Sequence, residues 1–305
     1  MDPTTPASDL PTGLEPCYRH PDERTGVHCT RCGRPICPNC MIPAPVGFQC
    51  PECVQTAREE FRQGPGKAVR ATATWSVSVT KVLLALIIGV FVVEMVVGGG
   101  NLLTGPSGQS LFEIGALYPP AIAIDGEYWR LLSPMFLHAG LIHIAFNSYV
   151  LWVFGQQVES TFGSARMVAI FLVTGFLASV ASYVFGPINV VGVGASGAIF
   201  GLAGAFIAYT YRRRSSFSSN AQLQQALFFV LINVVLGFVI QGIDWRAHLG
   251  GLVAGIAAGW VADPGRPRQT RTLVTVLGFA VLIALGVIAT MVRSEQLREL
   301  ALSVI

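Results

Sequence analysis

Residues 167–211 read MVAIFLVTGFLASVASYVFGPINVVGVGASGAIFGLAGAFIAYTY, and this stretch decides the fold. It contains no Lys, Arg, Asp or Glu. A membrane-spanning helix needs about 20 apolar residues, so the stretch is too long for one span. Gly186-Pro187-Ile188-Asn189 breaks it into two helices, about 167–185 and about 196–211. Working outward, apolar windows of similar length lie at about 80–97 and 138–158 on one side, and at about 222–240, 244–262 and 272–292 on the other. The reading is seven spans. The final 13 residues are polar enough to be expected as a short exposed tail. Between the first two spans, Gly98-Gly99-Gly100 opens a long mixed segment that runs to about Pro134.

Composition supports an all-α polytopic membrane protein. Of 305 residues, 12% are charged and 52% hydrophobic, against roughly 25% charged in a soluble domain. This excludes a disordered chain, a nucleic-acid-binding tail protein and an ordinary soluble enzyme as the whole molecule. The charge is uneven, with residues 1–81 holding 17 charged positions and residues 82–305 holding 20. The order expected is a disordered leader (1–16), a metal-binding module (17–53), a charged linker (54–79), a six-span core (80–262), and an extra span with its tail (263–305). Sixteen of the 20 Lys and Arg residues fall in residues 1–81 or in alternate loops, as Arg166, Arg212-Arg213-Arg214 and Arg266/Arg268/Arg271. The positive-inside rule puts that side in the cytoplasm. The N-terminus is then inside and the C-terminus outside.

All seven cysteines lie between Cys17 and Cys53. Cys17-x2-His20, Cys29-x2-Cys32, Cys37-x2-Cys40 and Cys50-x2-Cys53 make four ligand pairs, each presented by one tight knuckle. Eight N/S ligands suit two tetrahedral Zn²⁺ ions. An odd cysteine count and a cytosolic placement both argue against disulfides. Cys17/His20 can share a metal with Cys37/Cys40 in a cross-brace, or neighbouring pairs can share one. The spacing leaves both open, with the cross-brace favoured. His28 is read as a surface residue. Some 40 residues hold too little core to fold alone, so the metals would be structural. The module reads as a docking site for a cytosolic partner or as a spacer. It looks like a B-box or RING-type zinc fold, although its spacing matches neither closely.

Polar residues inside a bilayer are costly and therefore candidates for function. Three clusters stand at matching depth near one membrane face. The first is His138-x4-His143-x3-Asn147, preceded by Trp129-Arg130. His143 and Asn147 share a helix face. The second is Gly194-Ala195-Ser196-Gly197, with Ser196 at a helix start, where free N–H groups favour an anion. The third is Asp244-Trp245-Arg246-Ala247-His248-Leu249-Gly250-Gly251. Gly197 and Gly201 on one helix, and Gly251, Gly255 and Gly259 on the other, give faces that allow close approach. Taken singly, a Ser bonds its own helix and a His or Asn staples neighbours. Together they offer a nucleophile, a base and hydrogen-bond donors, which fits acyl transfer. Asp244 is expected to cap its helix, Glu94 to pack against the loop, and Glu159 to make a structural hydrogen bond.

In combination these motifs resemble the rhomboid family of intramembrane serine proteases, over about residues 80–262. Glu159 and Gly163 also look family-like. The resemblance implies a six-helix bundle with one added C-terminal helix. It implies Ser196 as nucleophile and His248 as base. His143, Asn147 and the Ser196 N–H would form the oxyanion hole, and Phe200 would pack on the His248 ring. Residues 98–134 would be a partly embedded loop, and the fifth span a lateral gate. The implied activity is hydrolysis of transmembrane protein substrates near the outer face, with zinc outside the catalytic chemistry. The competing expectation is a catalytically silent membrane-protein scaffold on the same fold. A transporter is disfavoured by the lack of charge deep in the spans.

Overall fold

A computed structural model describes residues 13–44, 46–63, 78–239 and 242–303. The chain divides into two units, Met1–Ser76 and Val77–Ile305. Most of the expected leader, and the linker between 64 and 77, lie outside the described residues.

The first unit is built from small elements around sulfur. Strands β1 (Glu15–Pro16) and β2 (Arg24–Thr25) pair antiparallel, as do β3 (Ile42–Pro43) and β4 (Phe48–Gln49). Six of the seven cysteines, together with Ile36, are almost wholly buried. Among the described residues this small cluster, with Tyr18 and Met41 packed against it, is the core, which is why such a unit needs cross-links. Residues 54–63 of the expected linker are helical. Helix α1 (Pro51–Gln63) starts at the last cysteine pair and carries on past it. It is tied back by Arg31–Glu60 at 2.8 Å and Arg34–Glu52 at 2.6 Å.

The second unit is helical: α2 (Val79–Gly98), α3 (Gly108–Ile114), α4 (Pro119–Ala123), α5 (Leu141–Phe162), α6 (Ser164–Phe185), α7 (Ser196–Arg212), α8 (Phe217–Val239), α9 (Trp245–Val261) and α10 (Arg268–Ser303). The seven long helices sit where the apolar windows predict them. Four are long and apolar enough to cross a bilayer by length and composition: α2, α6, α8 and α10. The other three are α5, α7 and α9, which carry the polar candidates. Helices α7 and α9 have 17 residues each, or about 26 Å. Twelve residues of α7 are buried. Protein, not lipid, surrounds it, so its Gly and Ala content lowers hydropathy without cost.

Helices α7 and α9 meet backbone to backbone. A Cβ on Gly251 would overlap the Gly197 carbonyl, one on Gly255 the Gly201 carbonyl, and one on Gly259 would lie 2.6 Å from the Ala205 carbonyl. The outer helices α2, α8 and α10 turn Val, Leu, Ile and Phe outward, as lipid-facing surfaces do. Glu159, near the end of α5, accepts hydrogen bonds from the N–H groups of Val79 and Thr80 at 2.7 and 3.0 Å and from the hydroxyls of Ser78 and Thr80 at 2.7 Å. One helix's carboxylate thus caps the start of another.

The expected tail is helical, and most of its described residues are exposed. Helix α10 runs unbroken through Arg293 to Ser303. Its apolar part, 273–292, suffices for a span, so the last turns project beyond it. There Ser294 and Leu297 are buried. Hydropathy saw only the polarity of these turns and not what they pack against.

Candidate active site

The loop between α6 and α7 brings the nucleophile candidate to a helix start. Gly194 has φ 129°, and its N–H donates to the Pro134 carbonyl at 2.8 Å. A Cβ there would lie 2.7 Å from Nε2 of His143 and 3.7 Å from the Ser196 hydroxyl. Both backbone angle and space therefore demand glycine. Ser196 opens α7 half-buried, and Ala195 before it is fully buried. The first N–H groups of α7 have no partner within the helix.

His143 stands opposite, in the first turn of α5. Its Nδ1 accepts from the Ala139 N–H at 3.3 Å. The proton of the neutral ring then sits on Nε2, the atom beside Gly194. The ring packs edge-on against His138 at 5.1 Å, whose N–H donates to Glu94 at 3.2 Å. Glu94 thus holds the loop, as its position suggests. Asn147 is almost wholly buried, and its amide donates to the His143 carbonyl at 3.0 Å. One of its two N–H groups is therefore turned onto its own helix.

His248 lies in the first turn of α9, and its ring stacks on Phe200 at 4.3 Å and 15°. Phe200 is one turn after Ser196, so the stack brings the imidazole over the start of α7. Its Nδ1 is buried without a partner, and among the described residues it has no hydrogen bond to Ser196. Catalytic hydrogen bonds are often loose without substrate. Asp244 caps α9, accepting from the Arg246 and Ala247 N–H groups at 3.0 and 3.2 Å. Its other oxygen accepts from the Ser182 hydroxyl. Both oxygens are engaged away from His248.

Two anchors of the Ser196 loop escape sequence reasoning. One is the Pro134 carbonyl, and the other is a pair of backbone bonds between Leu117 and Gly192, both 2.9 Å. Backbone groups carry no residue signal, so no motif could reveal them.

In the first unit the eight expected ligands gather into two groups. Cys17, His20, Cys37 and Cys40 form one, and Cys29, Cys32, Cys50 and Cys53 the other, with donor atoms within 4.8 Å of one another. This is the cross-brace layout. Tetrahedral Zn²⁺ with bonds of about 2.3 Å to sulfur implies about 3.8 Å between sulfurs. Cys32 and Cys50 sulfurs are 3.8 Å apart, and His20 Nδ1 lies 3.3 Å from Cys37 and 3.4 Å from Cys40. The residues fit a metal ion at each position. Burial raises the Cys17 thiol, but N–H groups of Arg19, Cys37 and His20 outweigh it and bring it down to about 6. Burial pushes Cys53 up to about 12, with Cys50, Cys32 and Cys29 sulfurs adding to it. Four crowded sulfurs without a cation resist joint ionisation. His28 faces Glu15 at 3.5 Å and belongs to neither group.

A polytopic helical membrane protein with a Ser and a His at the starts of two glycine-packed helices, and a second His beside the glycine two residues before the Ser, is a narrow class. The Rhomboid domain family model matches residues 125–264. Rhomboid protease GluP of Bacillus subtilis (strain 168) is 38% identical over 191 residues, covering 63% of this chain and 36% of GluP. RHOMBOID-like protein 6, mitochondrial, of Arabidopsis thaliana is 36% identical over 162 residues, 53% of this chain and 52% of that one. YdcA of Bacillus subtilis is 32% identical over 145 residues, 48% of this chain and 72% of YdcA. The chain belongs to the rhomboid family. It spans about a third of GluP and half of the Arabidopsis relative.

Proposed function

We propose that this chain is an intramembrane serine protease that hydrolyses peptide bonds of transmembrane substrates near the outer membrane face. The observation that carries the reading is the gathering around Gly194 and Ser196: a Cβ on Gly194 would lie 2.7 Å from His143 Nε2 and 3.7 Å from the Ser196 hydroxyl, and His248 is stacked on Phe200 one turn along α7. His248 takes the Ser196 proton as the hydroxyl attacks the carbonyl carbon. The oxyanion formed draws on the His143 Nε2–H, the Ser196 N–H and the free N–H of Asn147. One such donor is worth about 2.7–4 kcal/mol in soluble proteases. His248 then protonates the leaving amine, and water repeats the sequence to release the acyl product. Fixed neutral donors suit a site where a buried ion would be costly.

The distribution of Lys and Arg supports a cytoplasmic N-terminus and an external C-terminus, which puts Ser196 at the outer face. The two Cys/His groups hold structural Zn²⁺, with no open position for chemistry. Their unit is read as a docking module for a cytosolic partner.

The second reading is a silent scaffold on the same fold. The Asn147 amide turned onto its own helix, and the missing Ser196–His248 hydrogen bond, favour it. Labelling with a serine-reactive fluorophosphonate separates the two. Wild type should label and Ser196→Ala should not. Equal labelling of both, or none of wild type under conditions where it is folded, removes the protease assignment.

A further inference from the structure

The last turns of α10 have no part in the chemistry above, yet they are tied to it by a continuous set of contacts. Arg298 Nε donates to the Ala123 carbonyl at 2.6 Å and its Nη2 to the Tyr128 hydroxyl at 3.3 Å. One turn earlier, the Ser294 hydroxyl donates to the Thr290 carbonyl at 2.9 Å. It therefore accepts from Tyr183, 2.8 Å away and fully buried. Leu297 completes a buried cluster with Leu117, Ile122, Ala123, Leu131 and Tyr183. These contacts hold the 117–131 segment.

That segment in turn holds the nucleophile loop. Leu117 and Gly192 exchange both backbone hydrogen bonds, and Gly192 is four residues before Ser196. The second anchor, Pro134 to Gly194, follows directly on the same segment. Arg130 stiffens it by donating to the Phe112 and Ala116 carbonyls at 2.6 and 3.0 Å. Among the described residues, the loop from Pro187 to Ala195 contains no helix or strand, so its course depends on these external anchors.

We propose that Arg298, with Ser294 and Leu297, is a positioning residue for Ser196: the end of the seventh span fixes the 117–131 segment, and through Leu117–Gly192 fixes the loop that carries the nucleophile. This rests on Ser196 being the nucleophile. A small displacement of an attacking atom is enough to lower the rate steeply, whereas the substrate's contacts elsewhere are untouched. The effect should therefore fall on kcat and not on KM.

The test compares full-length wild type, Arg298→Ala and Arg298→Lys. Three readouts are taken: fluorophosphonate labelling rate, kcat and KM for a transmembrane substrate, and amide hydrogen exchange. Arg298→Ala should slow labelling and lower kcat about tenfold, with KM within about twofold. Exchange should rise at 117–124 and also at 190–195, while α5 and α9 stay protected. Arg298→Lys, which keeps one donor for Ala123, should recover part of both. Wild-type rates in Arg298→Ala overturn the proposal. So does faster exchange confined to 117–124, because the coupling to the loop is then absent. Should wild type fail to label, the protease reading falls, and the exchange pattern still decides whether α10 holds the loop.

Discussion

Removing the Asp244 carboxylate separates two roles that differ by orders of magnitude. In this structure Asp244 is a cap. One oxygen accepts from the Arg246 and Ala247 N–H groups, and the other from the Ser182 hydroxyl. Loss of an N-cap costs about 0.5–2 kcal/mol, and a hydroxyl deprived of its partner adds about 1 kcal/mol. Asp244→Ala should therefore lose about 2 kcal/mol of stability, and Asp244→Asn, which keeps an acceptor, about half of that. Catalysis should hardly respond. His248 takes its orientation from the Phe200 stack, and its Nδ1 has no partner to lose. In a soluble serine protease, replacing the carboxylate behind the histidine costs about 10⁴ in kcat. Here kcat should stay within about threefold of wild type. Initial rates on a transmembrane substrate in proteoliposomes, beside thermal unfolding in detergent, measure both quantities. A fall in kcat beyond about a hundredfold in both variants, with folded protein, would refute the dyad and make Asp244 its third member.

Other outcomes follow from the packing and the charges. Gly255→Ala puts a methyl into the Gly201 carbonyl and should prevent accumulation of folded protein, whereas Gly89→Ala, with nothing within 4 Å, should be neutral; expression and gel filtration compare them. Metal analysis should find two zinc ions per chain, one after Cys37→Ser or Cys50→Ser, and two after His28→Ala, and a sequential ligand layout would require different groupings. Burial raises the Asp263 carboxyl, but the Gly265 N–H and the Arg213 and Arg212 guanidiniums overcome it and hold the group below its ordinary 3.8. Its contribution is then present above that value and lost as pH falls through the lower folded one. The melting temperatures of wild type and Asp263→Asn should converge in that acid window, and a constant gap would exclude the linkage.

The seven long helices were legible because a bilayer demands apolar length, and the sequence supplies it between breaks such as Gly98-Gly99-Gly100 and Gly186-Pro187. By length and composition four of them, α2, α6, α8 and α10, suffice to cross a bilayer. Helices α7 and α9 are shorter, at 17 residues each, and with α5 they carry the isolated Ser, His and Asn that mark the candidate site. The eight Cys and His residues of the two groups were legible from their spacing, which favoured the cross-brace grouping that the fold adopts. Neither the α1 extension nor the last turns of α10 could be read. Both are polar stretches made helical by partners distant in sequence, Arg31 and Arg34 in one case and Ala123, Tyr128 and Tyr183 in the other.

The glycines would explain how the proposed dyad does without a third residue. Gly197, Gly201 and Ala205 present their carbonyls at successive turns of α7, and Gly251, Gly255 and Gly259 meet them at successive turns of α9. Three contacts at the same four-residue interval fix both the register and the distance of the two helices. A Cβ added at any of these three α9 glycines would be driven into a carbonyl of α7. Ser196 is one residue before the first contact, and His248 three before it. The separation of Ser196 and His248 along the helix pair is thus set by backbone against backbone, which has no rotamers to choose among. In a soluble protease a buried carboxylate restrains the histidine. Here the Phe200 ring on one face and the closed helix pair behind it impose that restraint with uncharged atoms, where a carboxylate would have to be desolvated.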